Sequence, residues 1–439
     1  MAEIQAFRGW RYDLGHIGAL SHVVAPPYDV IDPALQDQLY KKHPANAIRL
    51  ELNRDEPGDD ATNNRYTRAA WFFRNWRREG VLVQEANPAI YVYYQTFSLG
   101  DRTMTRRGFI AGLRLEPFGS GTVFPHEETH PSAKEDRLKL MQACHANFSP
   151  IFALFPDTAA EAGRLLDDSI AGQPALVAED HLGVKHQLWP VTDVGRLARF
   201  TTLLGDKPVF IADGHHRYET ALNYRQWLAT LGPLDAQHPA NYVMAAFVSM
   251  ADEGLVVLPT HRLFRGLPAW NASQLCEKLQ GYFRTRIVGE GADLAVTLWD
   301  QMATDGQQGQ LALFTSADQR WTLAQITPEG QRLMDQLAAD HSPPWRQLGV
   351  AILHRLVVEH LFHATSLPTP RYVHLVEEVV HGLEHGDESA QPYPLAALVM
   401  PATVEHIQQV SQAGERMPAK STYFYPKLLT GLVFHALDS

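Results

Sequence analysis

The segment Phe210-Ile-Ala-Asp-Gly-His-His-Arg-Tyr-Glu-Thr-Ala-Leu-Asn-Tyr224 (FIADGHHRYETALNY) decides how the rest of the chain is read. An apolar run enters Asp213-Gly214. After it, Ala221, Leu222, Tyr224 and Leu228 give an apolar face to a helix. The pattern predicts strand, turn, helix, with Asp213 as a turn residue or helix N-cap. His215, His216 and Arg217 then fall in or beside the first helical turn. Free backbone N–H groups and the helix dipole favour anions there, and basic side chains each cost a few tenths of a kcal/mol. Clustering them makes sense if a negative group sits among them. A phosphate is the expected ligand, with Arg217 able to grip it through two N–H bonds. Adjacent histidines at a helix start point in different directions, which argues against one metal ion between them. Asp213 alone remains a candidate ligand for Mg²⁺, which takes carboxylate together with phosphate and water. The plain alternative is a capped helix with surface histidines.

The bulk of the sequence limits what such a site serves. At 439 residues the chain has room for two or three domains with sizeable cores. A net charge of −11 argues against a protein that coats nucleic acid or anionic membrane. The two cysteines, Cys144 and Cys276, lie far apart and give neither a disulfide framework nor a thiolate zinc site. No basic segment followed by an apolar core opens MAEIQAFRGW, and no apolar run reaches membrane-spanning length. The expectation is a cytoplasmic protein.

Helical and extended patterns alternate along the chain, predicting a mixed α/β fold. YTRAAWFFRNWRREG (66–80) reads as an amphipathic helix stopped by Gly80. AIYVYYQTF (89–97) and GFIAGLRL (108–115) read as strands joined by a turn at Gly100-Asp101. SPIFALF (149–155) and VKHQLWPV (184–191) read as further strands. YVMAAFVSM and LVVLPTHR flank Ala251-Asp252-Glu253-Gly254 and predict a hairpin. Beyond about residue 266, helices near 271–282, 292–304 and 345–362 interleave with strands QLALFT, RWTLAQI and LAALVM. A boundary is expected near 266–270, giving an N-terminal α/β domain over 1–268 and a C-terminal one over 269–439. The new helix should start at Asn271.

Other candidates are scattered. PHEETHPSAKEDRLKL (125–140) contains His126-Glu127-Glu128-Thr129-His130, a formal HExxH pattern. Prolines at 125 and 131 work against the helix that a zinc protease needs, and no apolar stripe supports one. A polar loop is expected, with Glu127 as a candidate acid, base or metal ligand and His126 beside it. GERMPAKSTYFYPK (414–427) spaces Gly414, Lys420 and Ser421 like a P-loop, but Ala419 replaces the second glycine and the context is wrong. Lys420, Ser421 and Thr422 remain candidates to close over a phosphate. Thr260-His261-Arg262 ends a strand and offers another anion contact. Arg49, in the apolar alternation IRLEL (48–52), needs a carboxylate or an anionic ligand. VVAPPYDVI (23–31) reads as a stiff turn.

Taken together, VVAPPYDVI, NAIRLEL, PHEET…KEDRL, NFSPIF, FIADGHHRYETAL, LPTHR and MPAKSTYFYPKLLTGLV resemble a widespread prokaryotic family catalogued as domain of unknown function 1015. The Asp213–Arg217 element is also similar to the strand–DGHxR–helix element of ParB-like and sulfiredoxin-like proteins, which include nucleotide switches and free-serine kinases. That resemblance implies phosphate contact for His215, His216 and Arg217, with Asp213 near a metal or the transferred group. No cysteine precedes the His-Arg pair, unlike sulfiredoxins, and no basic helix-turn-helix follows, unlike the segregation proteins. Family members encoded beside serine-biosynthesis enzymes point to serine or O-phosphoserine.

These readings combine into an expected phosphotransferase or phosphatase acting on a small metabolite, phosphoserine hydrolysis or serine phosphorylation foremost. His215, His216, Arg217, Lys420 and Ser421 would hold phosphate oxygens. Asp213 would bind Mg²⁺ or position the transferred group, and Glu127 or Glu219 would act as base. Arg49 and Arg262 would take a substrate carboxylate, and ATP or another donor would enter for a kinase. The rival readings are a ParB-like nucleotide switch that recruits a partner, and a scaffold that binds nothing at this helix end.

Overall fold

The apolar run ahead of the central motif is a strand, Val209–Asp213, and its neighbours define the larger sheet of the computed structural model. Residues 2–119, 121–129, 131–386 and 391–438 are described. The chain divides into two compact units. One holds Met1–Pro125, Thr129–Val256 and Pro426–Ser439; the other holds His126–Glu128 and Val257–Tyr425. The architecture is mixed α/β.

In the first unit the sheet strands are β1 (Ile4–Gln5), β2 (Ile90–Leu99), β3 (Arg102–Arg114), β4 (Val123–Pro125), β5 (Ile151–Phe155), β6 (Leu176–Glu179), β7 (Lys185–Val191), β8 (Val209–Asp213) and β9 (Tyr242–Ser249). Their order is β4-β8-β5-β9-β3-β2-β7-β6, with β1 added on β3. β8 lies parallel to β4, and β9 parallel to β5; the other pairings are antiparallel. β2 and β3 form the expected hairpin, Leu99 opposite Arg102, with Gly100 at a positive φ that suits its turn. β8 is apolar on both faces: Val209 and Ile211 enter the core cluster, and Phe210 stacks on Phe124 at 5.4 Å. Helix α4 (Pro131–Cys144) packs against α7 (His215–Leu231), which follows β8. Earlier helices are α1 (Pro33–Lys42), α2 (Ile48–Glu51) and α3 (Arg65–Arg78), with α5 (Glu161–Ile170) and α6 (Val194–Leu204) between α4 and α7.

Two local expectations change, and the apolar alternation IRLEL takes the form of the short helix α2. The buried Asn46 side chain accepts from Ile48 N–H at 2.9 Å and donates to His22 and Val24 carbonyls, bending the backbone before a ladder can start. KEDRL lies on α4: proline at its first position costs nothing, and packing on α7 replaces the missing apolar stripe. β9 pairs with β3 and β5 instead of closing a hairpin, because its turn folds onto β3. Asp252 accepts the Arg107 N–H at 3.3 Å, and a Cβ on Gly254 would stand 2.3 Å from the Thr105 carbonyl oxygen.

The second unit carries a wholly antiparallel six-stranded sheet of β10 (His261–Phe264), β11 (Phe283–Glu290), β12 (Gln310–Thr315), β13 (Arg320–Ile326), β14 (Arg371–Val373) and β15 (Leu395–Val399). The order is β11-β13-β12-β15-β10-β14. Leu298 and Met302 of the helix Leu294–Asp305 pack with Phe314 and Trp321 in its core. A helix does start after Asn271, whose side chain accepts from Gln274 N–H at 2.9 Å in a capping box. Among the described residues, no helix is long and apolar enough to cross a membrane.

Burial holds the imidazoles of His261 and His354 down at about 3 and that of His435 at about 4. An unfolded histidine titrates near ~6.5. The folded chain therefore binds fewer protons than the unfolded one between those values. Stability should fall as pH drops from ~6.5 towards 4, by up to about 1.4 kcal/mol per pH unit for each histidine. Guanidinium midpoints measured from pH 7 to 4.5 should decline, and His435→Gln should make the decline shallower. A flat profile would show these rings to be charged in the fold.

Candidate functional site at the end of strand β8

β8 ends in an irregularity: the register against β5 shifts between Ile211 and Asp213, which sits opposite Phe152. Such a bulge re-aims the side chain at its end. Gly214 follows at φ 87°, ψ 29°, and is the residue that caps α7. A Cβ there would stand 3.0 Å from the Arg217 guanidinium, and a non-glycine residue pays about 1 kcal/mol for this conformation. The first intrahelical bond of α7 runs from Tyr218 N–H to the Gly214 carbonyl at 3.0 Å. The N–H groups of residues 215–217 therefore lie in the first turn, ahead of the helix's own i→i−4 ladder.

Asp213 is not the cap. Its Oδ2 accepts from Lys427 Nζ at 2.6 Å, and its Oδ1 lies 3.7 Å from Arg217 Nη2. Burial alone would raise this carboxyl, but Lys427 and Arg217 outweigh it and hold the group well below the usual carboxylate range. Lys427 is placed through its own backbone. Gln95 on β2 donates to the Lys427 carbonyl at 2.9 Å, and the buried Arg106 on β3 donates to the Pro426 carbonyl at 2.5 Å. Burial lowers the Arg106 guanidinium to about 10 despite nearby Tyr93, Asp252 and Asp213. Further on, Leu429 N–H donates to the Tyr93 hydroxyl at 3.4 Å. That hydroxyl meets His186 Nδ1 at 2.7 Å, and His186 Nε2 lies 3.2 Å from Asp180.

His215 is buried and His216 half-buried in the first turn of α7. Arg217 is also buried and donates to the Pro150 carbonyl. It is thus a strut between Asp213 and the segment before β5, not a solvent-facing anion clamp. Glu219 accepts from Thr129 Oγ1 at 2.8 Å and Lys134 Nζ at 2.6 Å. Arg49 lies apart: its guanidinium stands 4.3 Å over the Tyr40 ring and donates to the Tyr40 carbonyl at 3.1 Å, and no carboxylate pairs with it among the described residues. A magnesium ion at Asp213 would have to share the carboxylate with two cations already beside it. Among the described residues, no three His, Cys, Asp or Glu side chains group as a metal cage.

The remaining candidates gather in the second unit. Glu127 Oε1 accepts the Lys420 N–H at 2.6 Å, and His126 Nε2 meets Thr422 Oγ1 at 2.9 Å. Residues 126–128 are not helical; Glu127 bridges Met417 in parallel, as a proline-bounded loop should. His130 lies outside the described residues. Arg262 is fully buried, donates to the Lys420 carbonyl at 2.9 Å and to the Thr260 carbonyl, and stands 5.5 Å over Tyr372. Burial brings it down to about 10. Ser421 is buried and donates to the Pro418 carbonyl. Lys420 takes a left-handed φ of 59°, and its ammonium is exposed with no carboxylate paired to it among the described residues.

Sequence reasoning missed Lys427 and its supports Gln95 and Arg106. The available signal was a lone lysine inside the apolar and aromatic run YFYPKLLTGLV, where a charge needs a partner.

A mixed α/β protein with a charged strand–glycine–helix junction is the class these features define. A family model described as "Protein of unknown function (DUF1015)" matches residues 4–351, and the chain belongs to that family. No curated protein matches it. Solved structures with some likeness include a free serine kinase in complex with ADP, 13% identical, covering 69% of this chain and 84% of that one, TM-score 0.33. Another is a conserved hypothetical protein from Pyrococcus furiosus, 16% identical, covering 70% and 89%, TM-score 0.33. C-terminally truncated SbnI from Staphylococcus aureus is 11% identical, covering 73% and 85%, TM-score 0.32. Likeness at this level carries no functional argument.

Removing one partner of a shielded ion pair strands the other. Lys427→Met and Asp213→Asn should each lower unfolding stability by roughly 1–3 kcal/mol, and the double variant by clearly less than their sum. Additivity in a denaturant double-mutant cycle would show that the pair is not coupled.

Proposed function

We propose that this protein transfers a phosphoryl group to or from the hydroxyl of a small metabolite, with serine and O-phosphoserine as the pair to test first. The observation that carries the reading is the junction itself. A left-handed Gly214 opens the first turn of α7, and Lys427 and Arg217 hold Asp213 ionised beside it. Phosphoryl transfer asks chiefly for positioning and charge neutralisation.

An arriving phosphate meets the N–H end of α7, the imidazoles of His215 and His216, and the Lys427 ammonium. Asp213 orients Lys427, and Arg217 fixes the turn from behind. The exposed Lys420 ammonium in the second unit offers a separate anion contact. Glu127 and Glu219 are engaged with Lys420 N–H and Lys134 and are poorer bases than their sequence positions promise.

A ³¹P NMR time course tests this with wild type and Asp213→Asn in parallel, each with and without Mg²⁺. One tube holds O-phosphoserine and the other holds serine with ATP. Phosphate release in the first, or phosphoserine growth in the second, should appear in wild type and fall at least tenfold in the variant. ATP signals that broaden without turnover would favour a nucleotide switch. Spectra unchanged in both tubes would sink the serine reading.

A further inference from the structure

Arg49, expected from sequence to need a carboxylate or an anionic ligand, takes no part in the junction at Asp213. It sits half-buried on α2, with its guanidinium against two rings, 4.3 Å over Tyr40 and 5.6 Å over Phe72. Nη2 donates to the Tyr40 carbonyl at 3.1 Å, and the buried Nε has no partner among the described residues. Arg54 stands 4.0 Å over the same Tyr40 ring, but Asp37 pairs with it at 2.6 Å. No carboxylate among the described residues does the same for Arg49. Burial lowers its guanidinium and Arg54 adds to the effect, with only Tyr40 opposing.

Two histidines join it, and one asparagine fastens all three in place. The Asn46 side chain donates to the His22 carbonyl at 2.8 Å. Its backbone N–H donates to the His43 carbonyl at 3.0 Å, and its own carbonyl accepts the Arg49 N–H at 3.1 Å. His43 is half-buried, and its Nδ1 accepts the Ala45 N–H at 2.9 Å, so the neutral ring carries its proton on Nε2 as a donor. Burial lowers the His43 imidazole, and the nearby charges of His22 and Arg49 lower it further. His22 is exposed, and neither imidazole pairs with a carboxylate among the described residues. In a chain of net charge −11, three cation-forming side chains are thus gathered with no acid to offset them. Like charges so placed disfavour one another unless an anion joins them.

We propose that Arg49, His43 and His22 form a separate anion site that binds a phosphate group, free or carried by a small metabolite. The donors select the ligand. Because Nε is buried, the Nε–Nη edge of Arg49 is closed to a planar carboxylate. What remains is the Nη end of the guanidinium and two imidazole N–H donors, brought from three places in the chain. Three such donors suit the oxygens of a tetrahedral phosphate better than the two of a carboxylate. The Tyr40 and Phe72 rings and the Tyr40 carbonyl hold the guanidinium in place, so little side-chain freedom is lost on binding. No bond is made or broken here, and the site stands apart from the phosphoryl-transfer reading above.

Histidine-ring ¹⁵N spectra of the full-length protein test this, with the His43 signal assigned by its loss in His43→Gln. Inorganic phosphate at constant ionic strength should raise the His43 titration midpoint saturably, by about half a pH unit or more, because an anion favours the imidazolium. Arg49→Gln should weaken phosphate at least about tenfold by the same readout. His22→Gln changes an exposed ring, so it should fold even if Arg49→Gln does not, and it should also weaken binding. O-phosphoserine run alongside distinguishes the sources. Weaker binding than inorganic phosphate marks a site for the free ion, and equal or tighter binding marks one for phosphorylated metabolites. A His43 midpoint that phosphate leaves in place, or that chloride moves equally, would overturn the proposal. So would a shift kept in full by His22→Gln and by folded Arg49→Gln. Acetate binding as tightly as phosphate would overturn the choice of ligand.

Discussion

A carboxylate at the end of a buried strand is tolerable only if cations meet it, and the Asp213–Lys427 pair is where this unit satisfies that demand. The two residues are 214 positions apart, so the pair forms only when the C-terminal segment returns to the sheet. Gln95 and Arg106, neighbours on the β2–β3 hairpin, catch the Pro426 and Lys427 carbonyls. Their own burial is in turn satisfied by that backbone. Removing any one of them leaves a polar group without its partner in an apolar setting, where such groups cost most.

Arg217 links this pair to a second compensated group. One nitrogen faces Asp213, another donates to the Pro150 carbonyl, and its charge reaches Glu51. Carboxylates and cationic groups, an ammonium and two guanidiniums, therefore alternate from Lys427 through Asp213 and Arg217 to Glu51, Arg137 and Asp136. Each charge has an opposite one beside it, and at Glu51 burial outweighs its cationic neighbours and raises the carboxyl.

Much of the fold was legible. Short apolar and aromatic runs gave β2, β3, β5 and β7, the apolar approach gave β8, and the apolar face after Gly214 gave α7. Asn271 announced its helix through a capping pattern that needs only neighbours in sequence. IRLEL left its element open because alternation in five residues fits a helical turn as well as a strand, and Asn46 settled it through bonds to residues some twenty positions away. The predicted hairpin after β9 failed because Gly254 and Asp252 fit against β3 better than their own strand does.

The site divides along the same line. Sequence alone established that His215, His216 and Arg217 share one helical turn, since a glycine after an apolar strand and a helical period determine that locally. It did not tell which charges are free. Arg217, Arg262 and Glu219 look like ligand contacts in one dimension and prove to be bound to carbonyls or to Lys134. Lys427 looks like background and proves to pair with Asp213 at the junction. Only tertiary structure decides this, because the partner of a buried charge is set by which distant backbone and side-chain groups packing brings within about 3 Å, and sequence spacing carries no record of that distance.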